Sequence, residues 1–452
     1  MAIRDVVKLR DSFIATKLGP PEEKTTPTFR AVGLGPFDEF EIRLRPLTVL
    51  IGKNSVGKSL AMTAMWLFAY VLPGDFTTDE GLVKKFDERR DEAALRELII
   101  NAAEKYLKAF AEGIYKISHE VTALRGSRLE LTAASGKKLE IEITEGGALI
   151  HREDVAPIFN QVEVVKEGPM FRITYNGVEA VVPAEPLASV INGVLLFVNT
   201  VYYRELYPWR KPLYPLLAPH FLVDGRSGLI RASKLWAPCE LSVLDDEFLK
   251  SYYMLSEKTR LLIPSEAFQS FVKELGIEKA EARLEGGYYK LYVELWNGVE
   301  MPIEWAPSGV REALLPALAL ELTYGLLFVE EPEAHLHPAA IVKFAQLLAH
   351  AVNRGNRRVV LSTHSDYLLS KLSNLVRASA LDEEKLRKLG LRRDLVLPRD
   401  KIAVYLIKAD RERKRSVVEE LPVDEEGISE QEFSKVAEEL LNESSYVSLL
   451  RS

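Results

Sequence analysis

Glu330 and Glu331 stand side by side at the end of an uninterrupted apolar run, Leu326 to Val329, in the stretch LLFVEEPEAHLHP. A short apolar block closed by two acids and Pro332 reads as a strand buried on both faces of a parallel sheet. The C-terminal edge of such a sheet is where open α/β folds bind ligands. Adjacent carboxylates repel, so the placement suits a cation held between them and an anion, while a solvated strand-to-loop corner is the plainer alternative. An anion site is present upstream. GKNSVGKS, formed by Gly52, Lys53, Asn54, Ser55, Val56, Gly57, Lys58 and Ser59, follows the strand-like run Leu47 to Ile51 and precedes the helical run LAMTAMWLFAY. It matches G-x-x-x-x-G-K-S, in which the glycines let backbone N–H groups curl around phosphate oxygens. Lys58 would bring a point charge to the terminal phosphates and the Ser59 hydroxyl would ligate magnesium. The following helix aims its positive end at the same phosphates.

The elements that must position these groups are legible from periodicity and breakers. FRAVGL and EFEIRL alternate as two strands about the GPFD turn, ahead of the phosphate loop. The residues up to about Pro27 read as a flexible arm, and Pro73 with Gly74 as a boundary. From Glu80 to about Ile117 the pattern is helical, with Leu95, Leu98, Ile99 and Ala102 on one face. Hairpins follow at RLELTAASGKKLEIEI and FRITYNGVEAVV, and alternating strands at EARLEGGYYKLYVELWNGVEMPIEW. The period changes from two to helical at Pro307 to Gly309, and a helix is expected from about Ala339 to Val352. RRVVLSTHS reads as a second buried strand ending in a polar cluster, and KIAVYLI as a strand of a small appended C-terminal element with an acidic helix, EQEFSKVAEELL. The expected division is 28–75 and 301–375 for the two parts of one head, 76–220 for an inserted lobe, 221–300 for a linking segment and 376–452 for a C-terminal α/β element.

Length and composition bound the function classes. The chain has 452 residues, enough for a large core, with ordinary hydrophobic (47%) and charged (28%) fractions. A net charge of −7 argues against coating nucleic acid by bulk electrostatics, though a local basic surface is compatible with it. The single cysteine, Cys239, cannot form an internal disulfide. No apolar stretch reaches membrane-span length and the polar start MAIRDVVKLRDS has no signal-peptide core, so the expectation is a cytoplasmic protein without a membrane partner.

Taken in order, GKNSVGKS, PSGVRE, LLFVEEPEAHLHP and LSTHSDYLL resemble the ATPase heads of the ABC superfamily, in the non-transporter branch that includes RecF, SMC and the OLD-like ATPases. EEPEAHLHP followed by T-H-S looks especially OLD-like. The resemblance covers about half of the chain, and no Toprim-like acidic set is found in its C-terminal part. It implies a P-loop NTPase of ABC-type α/β fold with a mixed β-sheet, a mixed α+β insertion and a small C-terminal α/β element. It implies ATP and Mg2+ as cofactors, with Gly52 to Ser59 on the phosphates and Ser59 and Glu330 on the metal. Glu330 stands where most P-loop ATPases carry Asp. Glu331 would be the general base and His364 the switch histidine, with Lys58 as the third catalytic group. Ser308 and Gly309 resemble the signature motif, which serves ATP held by a second copy, so a head-to-tail homodimer is expected when ATP is bound. DNA and a separately encoded nuclease or toxin are the partner classes implied. The functional expectation is a hydrolysing switch acting on DNA or an effector, with a low-turnover ATP-bound interaction protein as the alternative.

Plainer readings accompany several of these residues. Ser308 and Gly309 also suit a helix cap, and His364 alone suits a loop histidine. His335 and His337 with Glu333 read as a structural loop in preference to a metal cluster. LVDGRSGLIR, Leu222 to Arg231, resembles an arginine-containing stretch of the same branch, with Arg226 either linking the nucleotide to the inserted lobe or lying on the surface.

Overall fold

In the computed structural model, residues 26–70, 78–154, 156–176, 178–206, 220–232, 241–323, 325–355, 357–429 and 442–443 are described. Most of the N-terminal arm, the Pro73–Gly74 boundary, Cys239 and the expected acidic helix at 430–441 lie outside the described residues.

The phosphate-loop strand Leu47–Gly52, the acidic strand Gly325–Glu330 and the strand Arg357–Thr363 are buried at every position. Their continuous burial follows from helices packed on the sheet, which leave no face for alternating polar residues. They belong to a six-stranded sheet in the order His220–Leu222, Gly325–Glu330, Arg357–Thr363, Leu47–Gly52, Ile402–Asp410, Arg415–Leu421. The first five strands run parallel and the last is antiparallel to its neighbour. Register sets the site: Glu330 pairs with Ser362, Thr363 with Ile51, and Gly52 with Ile407, so these strands finish along one edge.

The strand Ile402–Asp410 corrects the reading of the C-terminal α/β element as an appendage. It lies directly beside the phosphate-loop strand, and its first six residues are buried. A five-stranded antiparallel sheet joins Thr28–Val32 and Glu39–Arg43 to Arg128–Thr132, Lys138–Ile143 and Ala148–Glu153. It thus unites strands from both sides of residue 76. The helices Glu80–Arg89 and Glu92–Ser118 form as the apolar period requires, with Asp79 and Asp91 accepting N-terminal backbone N–H groups and Leu95, Leu98, Ile99 and Ala102 buried. Three-stranded antiparallel sheets cover Glu163–Pro183 and Ile277–Pro302, and helix Leu187–Leu206 follows the first of them.

Helix Ser308–Leu322 is buried at nearly every position from Val310 to Glu321. Pro316 inside it removes one backbone donor, and packing on all sides offsets the loss. Helix Pro338–Asn353 begins with proline at its first position, and the His337 Nδ1 accepts the Ala339 N–H at 3.3 Å.

Candidate nucleotide site

The phosphate loop is shaped by what presses on its two glycines. Gly52 has φ 145°, and a Cβ there would stand 2.3 Å from the Ile407 carbonyl oxygen of the adjacent strand. Gly57 has φ 99°, and its Cβ would meet the Phe37 ring at 2.7 Å. Phe37 belongs to the GPFD turn, which is anchored where Ser416 N donates to the Pro36 carbonyl at 2.8 Å. Side chains therefore cannot enter at either end of the loop. Lys53, Asn54 and Ser55 are exposed, Ser55 at φ 65°, whereas Val56 is buried as the anchor. Helix Lys58–Tyr70 starts directly behind the loop.

Lys58 Nζ donates to the carbonyls of Gly52 and Lys53, both at 3.0 Å, and lies 2.7 Å from His364 Nε2. His364 Nε2 is in turn 3.5 Å from Glu331 Oε1. Accepting from an ammonium requires a neutral imidazole with its proton on Nδ1. Burial, then the neighbouring Lys58 charge, lowers the His364 pKa, with Glu331 opposing. Burial also lowers that of Lys58, against the pull of Glu331, Glu330 and Glu333. The Glu331 side chain is 39% exposed, so one buried cation faces a carboxylate that solvent can reach.

Glu330 differs from its neighbour. Burial raises its pKa, offset in part by the Ser59 hydroxyl, and its Oε2 accepts the Asp224 N–H at 3.3 Å. Its Oε1 is buried with no hydrogen-bond partner among the described residues. A buried unpaired carboxylate oxygen beside a hydroxyl, at the mouth of a loop with no room for a Cβ at either glycine, fits a magnesium–phosphate group. Ser59 and Glu330 are the residues that would hold the metal, and the loop N–H groups and Lys58 the phosphates.

Three further residues support the site through contacts that the sequence does not give. Glu333 Oε1 accepts from Thr363 Oγ1 at 2.6 Å and His364 N at 2.8 Å, which fixes the histidine's backbone. Asp224 reaches Glu330 from the end of the adjacent strand His220–Leu222. Arg226, for which the sequence allows either a link between nucleotide and inserted lobe or a surface position, is fully buried and donates to the Glu330 and Glu331 carbonyls at 2.6 and 3.1 Å. An acid in E-E-P-E spacing was the signal for Glu333; the other two depend on which strand is the neighbour.

Ser308 and Gly309 are placed differently. Ser308 is exposed at the start of its helix, where Pro307 provides no side-chain cap. Gly309 backs onto the acidic loop, since a Cβ there would be 2.8 Å from the His335 carbonyl oxygen. His335 itself has φ 61°. The first N–H groups of a helix lack intrahelical partners, which makes a helix start with an exposed serine chemically suited to an anion.

Residues 203–370 match the family model described as "AAA domain, putative AbiEii toxin, Type IV TA system". The matched span holds the acidic strand and the strand that leads to His364, and the phosphate loop lies ahead of it. The fold is mixed α/β, with a largely parallel sheet that carries the phosphate-loop motif at the end of one of its inner strands. Solved heads similar to it include an SmcHead bound to the C-winged helix domain of ScpA (13% identity, TM-score 0.40, 88% of this chain and 97% of that one). Another is the SMC head domain from Thermotoga maritima (12%, 0.36, 88% and 98%). A third is an Smc head domain with an extended coiled coil bound to the C-terminal domain of ScpA derived from Pyrococcus furiosus (12%, 0.38, 93% and 100%). No curated protein matches the sequence. Among the described residues of the head, no helix is long and apolar enough to cross a membrane.

Proposed function

We propose that this head binds ATP with magnesium and hydrolyses it, and that two copies assemble head-to-tail so that Ser308 and Gly309 of one complete the phosphate site of the other. The observation that carries the reading is the convergence of Lys58, His364 and Glu331 within 2.7 and 3.5 Å at the mouth of the loop, beside the unpaired Glu330 oxygen. Bound magnesium would neutralise charge on the phosphates. Ser59 and Glu330 would hold it. Glu331, open to solvent, orients the attacking water and accepts its proton. His364, neutral and fixed through its backbone by Glu333, contacts the terminal phosphate and exchanges its hydrogen bond with Lys58 as that phosphate comes and goes. The contacts that only a terminal phosphate makes favour the closed pair, and hydrolysis releases it.

The closure then controls DNA or an effector protein in a cytoplasmic, OLD-like system. The toxin–antitoxin wording of the matched family favours a second reading, in which a slowly hydrolysing ATP-bound pair sequesters a nuclease or toxin. Steady-state ATPase with and without DNA separates the two: stimulation supports the switch, and negligible turnover with a stable wild-type ATP-bound dimer supports sequestration. Glu331→Gln is expected to trap an ATP-bound dimer with turnover reduced about 100-fold or more. Normal hydrolysis by that variant overturns the assignment of the base.

A further inference from the structure

Among the fully buried side chains of the described residues, Arg226 is second only to Trp66 in size. Its guanidinium donates to five backbone carbonyls: Nη1 to Glu330 (2.6 Å), Val223 (2.7 Å) and Leu222 (3.3 Å), Nη2 to Glu331 (3.1 Å), and Nε to Glu312 (2.9 Å). Nε also lies 3.2 Å from Glu312 Oε2, forming an ion pair with no exposed member. The other Glu312 oxygen accepts the Ser227 N–H at 2.8 Å. Arg311 Nε donates to Ser227 Oγ at 2.6 Å, and its Nη1 bonds the Ala306 carbonyl just ahead of Ser308.

The network has two ends. One grips the carbonyls of both site acids, including Glu331, whose φ of 41° is a left-handed conformation that needs support. The other grips the helix beginning at Ser308, one turn before Glu312. A planar fork saturated with acceptors in the interior cannot lose a partner cheaply, because an unpaired buried charge is costly. The fork, the acidic pair and the helix therefore shift together.

We propose that Arg226 is a positioning residue that couples the acidic pair of one copy to the helix presenting Ser308 and Gly309 to the other copy. Engagement of that helix by the second copy's nucleotide then sets the carboxylates of the first. This rests on the two-copy reading above. Glu312→Gln keeps the size of the side chain and the acceptor for Ser227 but removes the charge that pairs with Arg226; Arg226→Lys keeps the charge but not the fork.

The test uses the full chain and three readouts: fluorescent ATP-analogue binding, ATP-dependent dimerisation by sedimentation, and turnover per dimer. Both variants are expected to bind nucleotide within about threefold of wild type and to dimerise with ATP, while kcat falls about tenfold with KM little changed. Nucleotide binding and dimerisation lost together with turnover would mark a merely structural role and overturn the proposal. Turnover per dimer within about twofold of wild type in either variant would overturn it too. If Glu312→Gln melts far below wild type, Arg226→Lys carries the comparison. Glu331→Gln alone is run alongside: no ATP-bound dimer there refutes the two-copy reading itself, whereas a dimer there with normal Arg226→Lys turnover refutes only the coupling.

Discussion

Glu330 and Glu331 are chemically identical neighbours that the fold places in opposite environments. Glu330 is enclosed and its pKa is raised by burial; Glu331 keeps two-fifths of its side chain in solvent. A carboxylate whose folded pKa exceeds the unfolded one binds its proton more tightly in the native state. Its contribution to stability is present in acid and lost as pH rises through the window above the ordinary value of 4.5. Glu333 is raised in the same direction by burial. Metal-free Glu330→Gln is therefore expected to melt about 1–2 °C higher than wild type near pH 7, with the advantage shrinking towards pH 4. Equal melting temperatures across that range would show that Oε1 is not a buried charge. The same variant should lose magnesium-dependent turnover, separating the two roles of the group.

At the scale of elements, the phosphate loop depends on strands distant in sequence. Gly57 is confined by Phe37 and Pro36, and Gly52 by Ile407, so alanine at either position combines left-handed strain with a steric overlap. Strain alone costs about 1–3 kcal/mol. Gly136 provides a control: it has φ 84° in the hairpin turn, yet nothing lies within 4 Å of the position a Cβ would take. Gly57→Ala is expected to lower the melting temperature and to weaken ATP-analogue binding at least tenfold, whereas Gly136→Ala lowers only the melting temperature. Comparable nucleotide affinity in both variants would show that the closeness of Phe37 does not shape the loop.

For the whole molecule, the proposed head-to-tail pair would join the exposed start of helix Ser308–Leu322 in one copy to the site at Gly52–Ser59 in the other. ATPase activity is therefore expected to rise faster than linearly with protein concentration at low concentration, with an apparent order approaching two. Strictly linear activity down to nanomolar protein would place the entire reaction within one copy. Ser308→Arg should abolish this cooperative rise while leaving ATP-analogue binding to the isolated chain within about twofold.

The candidate residues of the phosphate loop, the two acids and His364 can be named from the sequence because they stand in short contiguous motifs flanked by a strand. Local elements were legible for the same reason, since burial leaves a period of two, of 3.6, or an unbroken apolar run. Partnership between distant segments leaves no such mark. That Ile402–Asp410 lies beside Leu47–Gly52, that Asp224 and Arg226 reach the acids, and that Glu333 fixes His364 were decided by strand order alone. The candidate site's residues stand in short motifs, but the burial that distinguishes Glu330 from Glu331, and the fork that joins both to helix Ser308–Leu322, exist only where residues far apart in the chain exclude water from one another.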